Sequence, residues 1–397
     1  MPWRLRPGRG KPLDPDDPRL KRVVVIKPCC TGDVLMATAA IAALRQALPS
    51  AHIELAVAPW SLPVVSNNPR LNGVIRSPVG TQTTIFADYM KLARFVRRGN
   101  FGAALVLDRS PLLNMVPYFA GVPVRAGLDS DNRGLALTHP VPCPGNFARH
   151  EVEWYLDVVR ALGLPTLTKD AYLEFYPTEQ ERRESREALV AGGDEGESEA
   201  GYVAIHVGGG VNPGMRLLSK RWRPENWARI CDWLAETYEP AILLLGGPSR
   251  EDREAADALK ASLFPATQPY VVDLVGKLGW GALGATIEKC GLFLGNDTGA
   301  MHLATAVRTP VVAVFGPTDP TRYGPWDPSG RSVAVVPGPK SNATPHSALR
   351  IPHSDAEALR RASQSDAAYH DLVTPEEVWA AVERAFRGTL ARERLVV

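Results

Sequence analysis

The chain has 397 residues, of which 45% are hydrophobic and 22% charged, with a formal net charge of +2 at pH 7. That length is too great for one ordinary core and suits two domains, and the near-balanced charge excludes both a long acidic disordered tail and the basic excess of a protein that grips bulk DNA or RNA. Residues 1–20 lack the apolar run of a secretory signal, and apolar stretches such as 103–107 and 241–245 fall far short of the roughly 18 residues of a spanning helix, so a cytoplasmic protein that at most touches a membrane surface is expected.

After a basic, proline-rich arm over residues 1–20, the β-branched run at 22–27 reads as a strand buried on both faces. The turn at 28–32 leads into a helix over 33–48, with Leu35, Ile41, Leu44 and Leu48 at roughly helical spacing and Pro49 as the stop. Short apolar runs at 52–57, 74–75 and 101–107 are further strands, with helices over 84–98 and 149–162. The pattern predicts an α/β layer domain over 21–185. The acidic, glycine-rich segment 191–200 has nothing to bury and marks a linker or insertion over 186–201.

Alternation then restarts, with strands at 202–207, 241–245, 271, 292–294 and 311–315 and helices over 224–238, 250–263 and 299–307. A second doubly wound domain over 202–372 follows. Its last part, 337–371, is polar and weakly periodic, a long excursion. Thr374, Pro375 and Glu377 form an N-cap, N1 proline and capping box for a terminal helix within 373–397, placed to cross back to the first domain. The five cysteines, Cys29, Cys30, Cys143, Cys231 and Cys290, are odd in number and have no C-x-x-C spacing, so neither a disulfide framework nor a zinc site is expected. Cys29 and Cys30 are adjacent, too close for an unstrained bridge, and read as small residues lining a turn.

The strongest local feature is LGNDTGAMHLA at 294–304, a strand end, a polar turn and a helix start. Such a turn lies at the carboxyl edge of a parallel sheet, where open α/β folds bind ligands. Thr298 is placed to cap the helix, leaving the amide N–H groups from Gly299 onward and the positive helix end for an anion such as diphosphate. Asp297 would accept hydrogen bonds from sugar or ribose hydroxyls, and His302, one turn on, points toward the same mouth. Taken alone, the turn is equally well explained as an ordinary capped helix.

GNDTGAMHLATA at 295–306, followed by TPVVAVFGPTDP at 309–320, resembles the C-terminal signature of the heptosyltransferases of glycosyltransferase family 9. VIKPCCTGDVL at 25–35 resembles that family's N-terminal signature. The resemblance implies a GT-B fold, two Rossmann-like domains facing a central cleft, and transfer of a sugar from a nucleotide diphosphate donor with inversion and without a metal or other cofactor. ADP-heptose is the donor it points to; the acceptor is a glycan of the lipopolysaccharide core, another lipid-linked glycan or a small molecule. The chain departs from the family at Cys29 and Cys30, where hydroxyl residues are usual, at Ala39 or Ala40, where proline is frequent, and in the excursion.

On this resemblance Asp33, at the first strand-to-helix turn behind Gly32, is the general base that takes the acceptor proton. Lys27 would pair with Asp33 or meet an acceptor anion. Lys220, in SKRWRPENW at 219–227, matches the lysine of the family's Lys-x-Trp-Pro stretch with Arg223 inserted, and would offset charge on the departing diphosphate. Gly208 and Gly209 open a loop able to present N–H groups to phosphate. Glu251 would accept from the ribose, and Leu278 falls where the family packs an apolar residue near the base.

Two other features have plainer explanations. Asp129 and Asp131 spell the Asp-x-Asp of metal-dependent transferases but sit among glycines, as a turn does, and the basic helix with Lys91, Arg94, Arg97 and Arg98 between Leu92, Phe95 and Val96 suits a membrane surface but reads more readily as ordinary amphipathic packing. An epimerase or hydrolase on the same scaffold, or a nucleotide-sugar-binding protein without catalysis, remains an alternative at this level. A carboxylate at Asp33 argues against the last.

Overall fold

The computed structural model describes residues 10–80, 84–144, 149–194, 200–212, 215–316, 318–336 and 373–393. The chain divides into two compact units, Met1–Phe175 and Tyr176–Val397. The excursion at 337–371 lies outside the described residues, as do 195–199 of the expected linker.

The first unit runs β1 (Arg22–Ile26), α1 (Thr31–Ala47), β2 (His52–Val57), β3 (Gly73–Arg76), α2 (Phe86–Arg98), β4 (Ala103–Val106), α3 (Pro111–Phe119), β5 (Val124–Ser130), β6 (His139–Cys143) and α4 (Glu151–Arg160). Its six strands are all parallel, in the order β3-β2-β1-β4-β5-β6. Central β1 explains its own composition: Val25 stands in register between Leu55 and Leu105, and Val23 to Ile26 are at most 1% exposed. Burying each such side chain contributes roughly 1.5–3 kcal/mol. β6 escapes the sequence pattern because Pro140 and Pro142 interrupt it, and an edge strand tolerates the missing donors. Pro117 hides α3 in the same way.

The second unit runs α5 (Glu179–Ala191), β7 (Tyr202–His206), the two-residue strands β8 (Val211–Asn212) and β9 (Met215–Arg216), α6 (Pro224–Tyr238), β10 (Ala241–Leu245), α7 (Arg250–Ser262), β11 (Val271–Asp273), α8 (Trp280–Glu288), β12 (Leu292–Asn296), α9 (Gly299–Ala306), β13 (Val311–Val314), α10 (Pro320–Tyr323), β14 (Val333–Val335) and α11 (Pro375–Glu393). Its main sheet is again six parallel strands, in the order β11-β10-β7-β12-β13-β14. Both units are doubly wound, with the order reversing beside β1 and β7.

Several expectations are corrected here. The division falls after Phe175 rather than at 185, and 186–191 is not linker but the end of α5, which packs on α8 through a buried Ser185–Thr286 hydroxyl pair at 2.7 Å. Gly281 lets α8 approach, since a Cβ there would collide with Glu181. The described part of the arm is fixed to the first unit: the Gly10 amide donates to Thr138, the Leu13 amide to Leu162, and Leu20 is buried. α11 is capped by Thr374 and Glu377 as expected, and Val378, Ala381, Val382 and Ala385 join the core of the second unit. Cys29 and Cys30, expected to be unbridged, form a disulfide across a cis peptide bond. Asp129 belongs to β5 rather than to a turn; only Asp131 and Asn132 take the left-handed turn conformation.

Candidate active site

In the first unit the site forms where α1 starts at the carboxyl edge of β1. Asp33 stands in the first turn of α1 just behind half-buried Gly32, and its Oδ2 accepts the Cys30 N–H at 3.4 Å, closing a capping box. Its Oδ1 accepts from the Tyr155 hydroxyl at 3.4 Å and stands 3.6 Å from Lys27 Nζ. The lysine also donates to Asp108 Oδ2 at 3.1 Å, so two carboxylates share one ammonium. Burial works against the Lys27 charge, but Asp33, Asp108 and Glu151 outweigh it and hold the ammonium above the ordinary lysine range. Burial, then Glu151 and Asp33, raise the Tyr155 phenol well above its usual value, which keeps it a donor. Beneath lies Glu151, fully buried and met by Arg109 Nη1 at 2.6 and 2.7 Å. Of the two carboxylates, Asp33 is the one more loosely engaged by the lysine.

In the second unit the loop after β7, the segment before α6 and the start of α9 meet at the sheet's carboxyl edge. Thr298 caps α9, accepting the Met301 N–H at 3.4 Å. Gly299 and the residues after it form its first turn. Asp297 is 5% exposed, and its Oδ2 accepts from Lys220 Nζ and from Thr318 Oγ1, each at 2.6 Å. Burial raises the cost of that carboxylate's charge; Lys220, Thr318 and buried His302 prevail and hold its pKa below the usual aspartate value. Gly209 takes a left-handed φ of 113°, and a Cβ there would overlap the Thr298 methyl. A Cβ at Gly208 would likewise collide with the Asp252 carboxylate. Glu251 is in the first turn of α7, and half-buried Leu278 lies between β11 and α8, two strands from β7.

Residues 89–346 match the family described as glycosyltransferase family 9 (heptosyltransferase). The chain belongs to that family. It is 28% identical over 303 residues to lipopolysaccharide heptosyltransferase 3 of Escherichia coli, covering 74% of this chain and 83% of that one. It is 26% identical over 318 residues to lipopolysaccharide heptosyltransferase 2 of Escherichia coli K12, covering 80% and 89%. Among solved structures, the glycosyl transferase family 9 protein of Veillonella parvula superposes with a TM-score of 0.72 at 20% identity over 95% of this chain and 98% of that one. The E. coli ADP-heptose lps heptosyltransferase II does so with 0.67 at 22% identity over 94% and 99%. These likenesses establish the GT-B fold.

In this family 9 enzyme several site residues escaped the sequence reading. Asp108 and Tyr155 carry no local motif; the only signal for Asp108 is its place directly after a predicted strand, at the carboxyl end where site residues gather. Asn296 lies within the LGNDTGAMHLA motif, where nothing local gives it a role. It donates to the Val207 and Gly208 carbonyls, both at 3.3 Å, and accepts the Trp222 N–H at 2.9 Å, tying three segments together. Arg221 fills the variable position of the Lys-x-Trp-Pro stretch, which carries no local signal. Its guanidinium pairs with Asp252 at 2.5 Å and donates to the Gly209 and Glu251 carbonyls, both at 2.9 Å, while Asp252 accepts the Gly247 N–H at 2.7 Å.

One planar cation thus fixes the loops after β7 and β10 against each other. Lysine offers a point charge in place of that fork. Arg221→Lys is expected to raise the donor KM about tenfold, the loss of one or two charge-assisted hydrogen bonds, while kcat changes less. Steady-state kinetics check this; a fall in kcat at constant donor KM would place Arg221 in the chemistry instead. Among the described residues there is no cluster of His, Cys, Asp and Glu suited to hold a metal ion, and no helix long and apolar enough to cross a membrane.

Proposed function

We propose that this enzyme is an inverting, metal-independent heptosyltransferase that moves heptose from ADP-heptose to a hydroxyl of a lipopolysaccharide-core acceptor, working on the cytoplasmic side of a membrane and touching it peripherally. The observation that carries the reading is the Asp33 carboxylate, presented at the carboxyl edge of the first sheet with Lys27 and Tyr155 as its partners. Support for donor and acceptor comes from the relatives, which are named lipopolysaccharide heptosyltransferases, one of them for ADP-heptose.

In the step proposed, Asp33 takes the proton of the acceptor hydroxyl as its oxygen attacks the anomeric carbon. The bond from that carbon to the diphosphate oxygen breaks, and its electron pair leaves with ADP. The second unit is assigned the donor: the α9 N-terminus behind Thr298 and the amides of Gly208, Gly209 and Gly299 face the diphosphate, and Glu251 and Leu278 the nucleoside. Lys220 has three N–H donors, of which Asp297 uses one, so the others remain for the departing phosphate. A fixed cation and a helix end then do what a divalent ion does elsewhere.

The test is transfer from ADP-heptose to an isolated inner-core acceptor in EDTA, with the anomeric configuration of the product read by NMR. Full activity and an inverted anomer are expected. Activity that vanished with chelator and returned with Mn²⁺ would bring Asp129 and Asp131 back into the mechanism, and a retained anomer would remove Asp33 as base of a single displacement.

A further inference from the structure

The exposed side of α2 has no part in the site described above. Leu92, Ala93 and Val96 bury one face of this helix. At 3.6 residues per turn the opposite side carries Arg97, Arg94, Arg98 and Lys91 within an arc of about 120°, with Phe86 and Phe95 on its two borders. All four cations are exposed, and the carboxylate beside them, Asp88, is half-buried and taken up by the Ile85 N–H and by Lys91 at 3.0 Å. Large apolar side chains are exposed at the starts of these two packed helices: Ile85 and Phe86, at the start of α2, are each 60% exposed and Leu112, in the first turn of α3, 45%. Four cations flanked by uncovered aromatics are more than solubility needs.

The position of this surface matters as much as its composition. α2 and α3 pack on each other, and both begin at the carboxyl edge of the sheet, the edge that carries Asp33. Tyr89, one turn into α2, lies near enough to Ser110 and Asp108 for both to act on its phenol. Asp108 in turn shares Lys27 with Asp33. The starts of α2 and α3 and the proton-accepting carboxylate therefore stand at the same edge of one unit.

We propose that the Ile85, Phe86 and Leu112 tip together with the Lys91, Arg94, Arg97 and Arg98 flank docks this enzyme on an anionic lipid bilayer. Charge complementarity commits the occupant: a basic strip is drawn to anionic headgroups within about a Debye length, and apolar side chains at its end enter the headgroup boundary. Docking there brings the Asp33 edge to the membrane surface, where a lipid-anchored acceptor presents its sugars. The inference rests on the reading of a lipid-linked acceptor for its purpose, but the binding itself needs no catalysis.

The test is co-sedimentation of the full chain with vesicles of equimolar phosphatidylglycerol and phosphatidylethanolamine, and with vesicles of phosphatidylcholine alone. Binding to the anionic vesicles that weakens steeply with salt is expected, with little to the neutral ones. Arg94→Glu with Arg97→Glu is expected to lower that affinity at least tenfold, and Phe86→Ser with Ile85→Ser severalfold, each variant keeping its far-UV circular dichroism and its transfer to a delipidated acceptor. No binding to anionic vesicles, equal binding to both kinds, or variants that bind like wild type would overturn the inference. A wild-type chain that binds vesicles yet transfers heptose to no acceptor would sink the proposed reaction and leave the docking surface standing.

Discussion

Asp33→Asn is expected to lower turnover by about 10²-fold or more while donor affinity stays close to that of wild type, because the amide keeps the shape of the carboxylate but cannot take a proton. The surroundings make the variant a clean one. Asp33 lies in the first turn of α1, where an Asn side-chain oxygen can still accept the Cys30 N–H as Oδ2 does, while its NH2 in the place of Oδ1 can donate to the Tyr155 hydroxyl oxygen. Lys27 keeps Asp108 as a counter-charge, so no buried ammonium is stranded. Single-turnover kinetics with donor in excess, together with equilibrium binding of ADP, separate the two quantities. Wild-type turnover would remove Asp33 from the chemistry, and an equal loss of ADP affinity would make its role structural.

The second large effect is expected at Lys220. Lys220→Met leaves Asp297, 5% exposed, without the ammonium 2.6 Å away, and stranding one member of such a pair costs about 3–5 kcal/mol. Both the stability of the second unit and donor binding should fall. The double variant Lys220→Met with Asp297→Asn removes the stranded charge and is expected to recover most of the stability but to bind donor more weakly than Asp297→Asn alone, which separates phosphate recognition by Lys220 from packing. Stability recovered together with full donor binding would take Lys220 out of the site.

The pH dependence of the pair follows from its sign. The folded Asp297 pKa lies below its unfolded value, so its contribution is complete above the ordinary aspartate range near 3.9 and is lost as pH falls through the lower folded value. The advantage of wild type over Asp297→Asn in thermal unfolding should therefore hold from neutral pH down to about pH 5 and shrink only below about pH 4.

Much of this enzyme was legible along the chain because its signals are local. A strand buried on both faces must be continuously apolar, so RVVVI at β1 and AILLL at β10 announce themselves, as do the caps at Thr298 and Thr374. Elements were missed where proline or glycine breaks the pattern and a tertiary contact compensates. β6 survives Pro140 and Pro142 by lying at an edge, and α8 uses Gly281 to let Glu181 of α5 approach. No propensity sums to either result.

What the sequence by itself determined was the alternation of strands and helices in two halves, and hence the sheet edges at which Asp33 and Asp297 had to stand. The tertiary structure alone decided which groups meet there. Lys27 and Tyr155 converge on Asp33 from the end of β1 and from α4, up to 122 residues away in sequence, and Asp108, past the end of β4, shares the same lysine. Lys220 and Thr318 close on Asp297 from either side of β12, and Arg221 binds loops that follow two different strands. The physical reason is that a parallel sheet gathers every strand's carboxyl end on one edge, while the charge, protonation and hydrogen bonding of each group there depend on which side chains strand order and packing bring within a few ångströms.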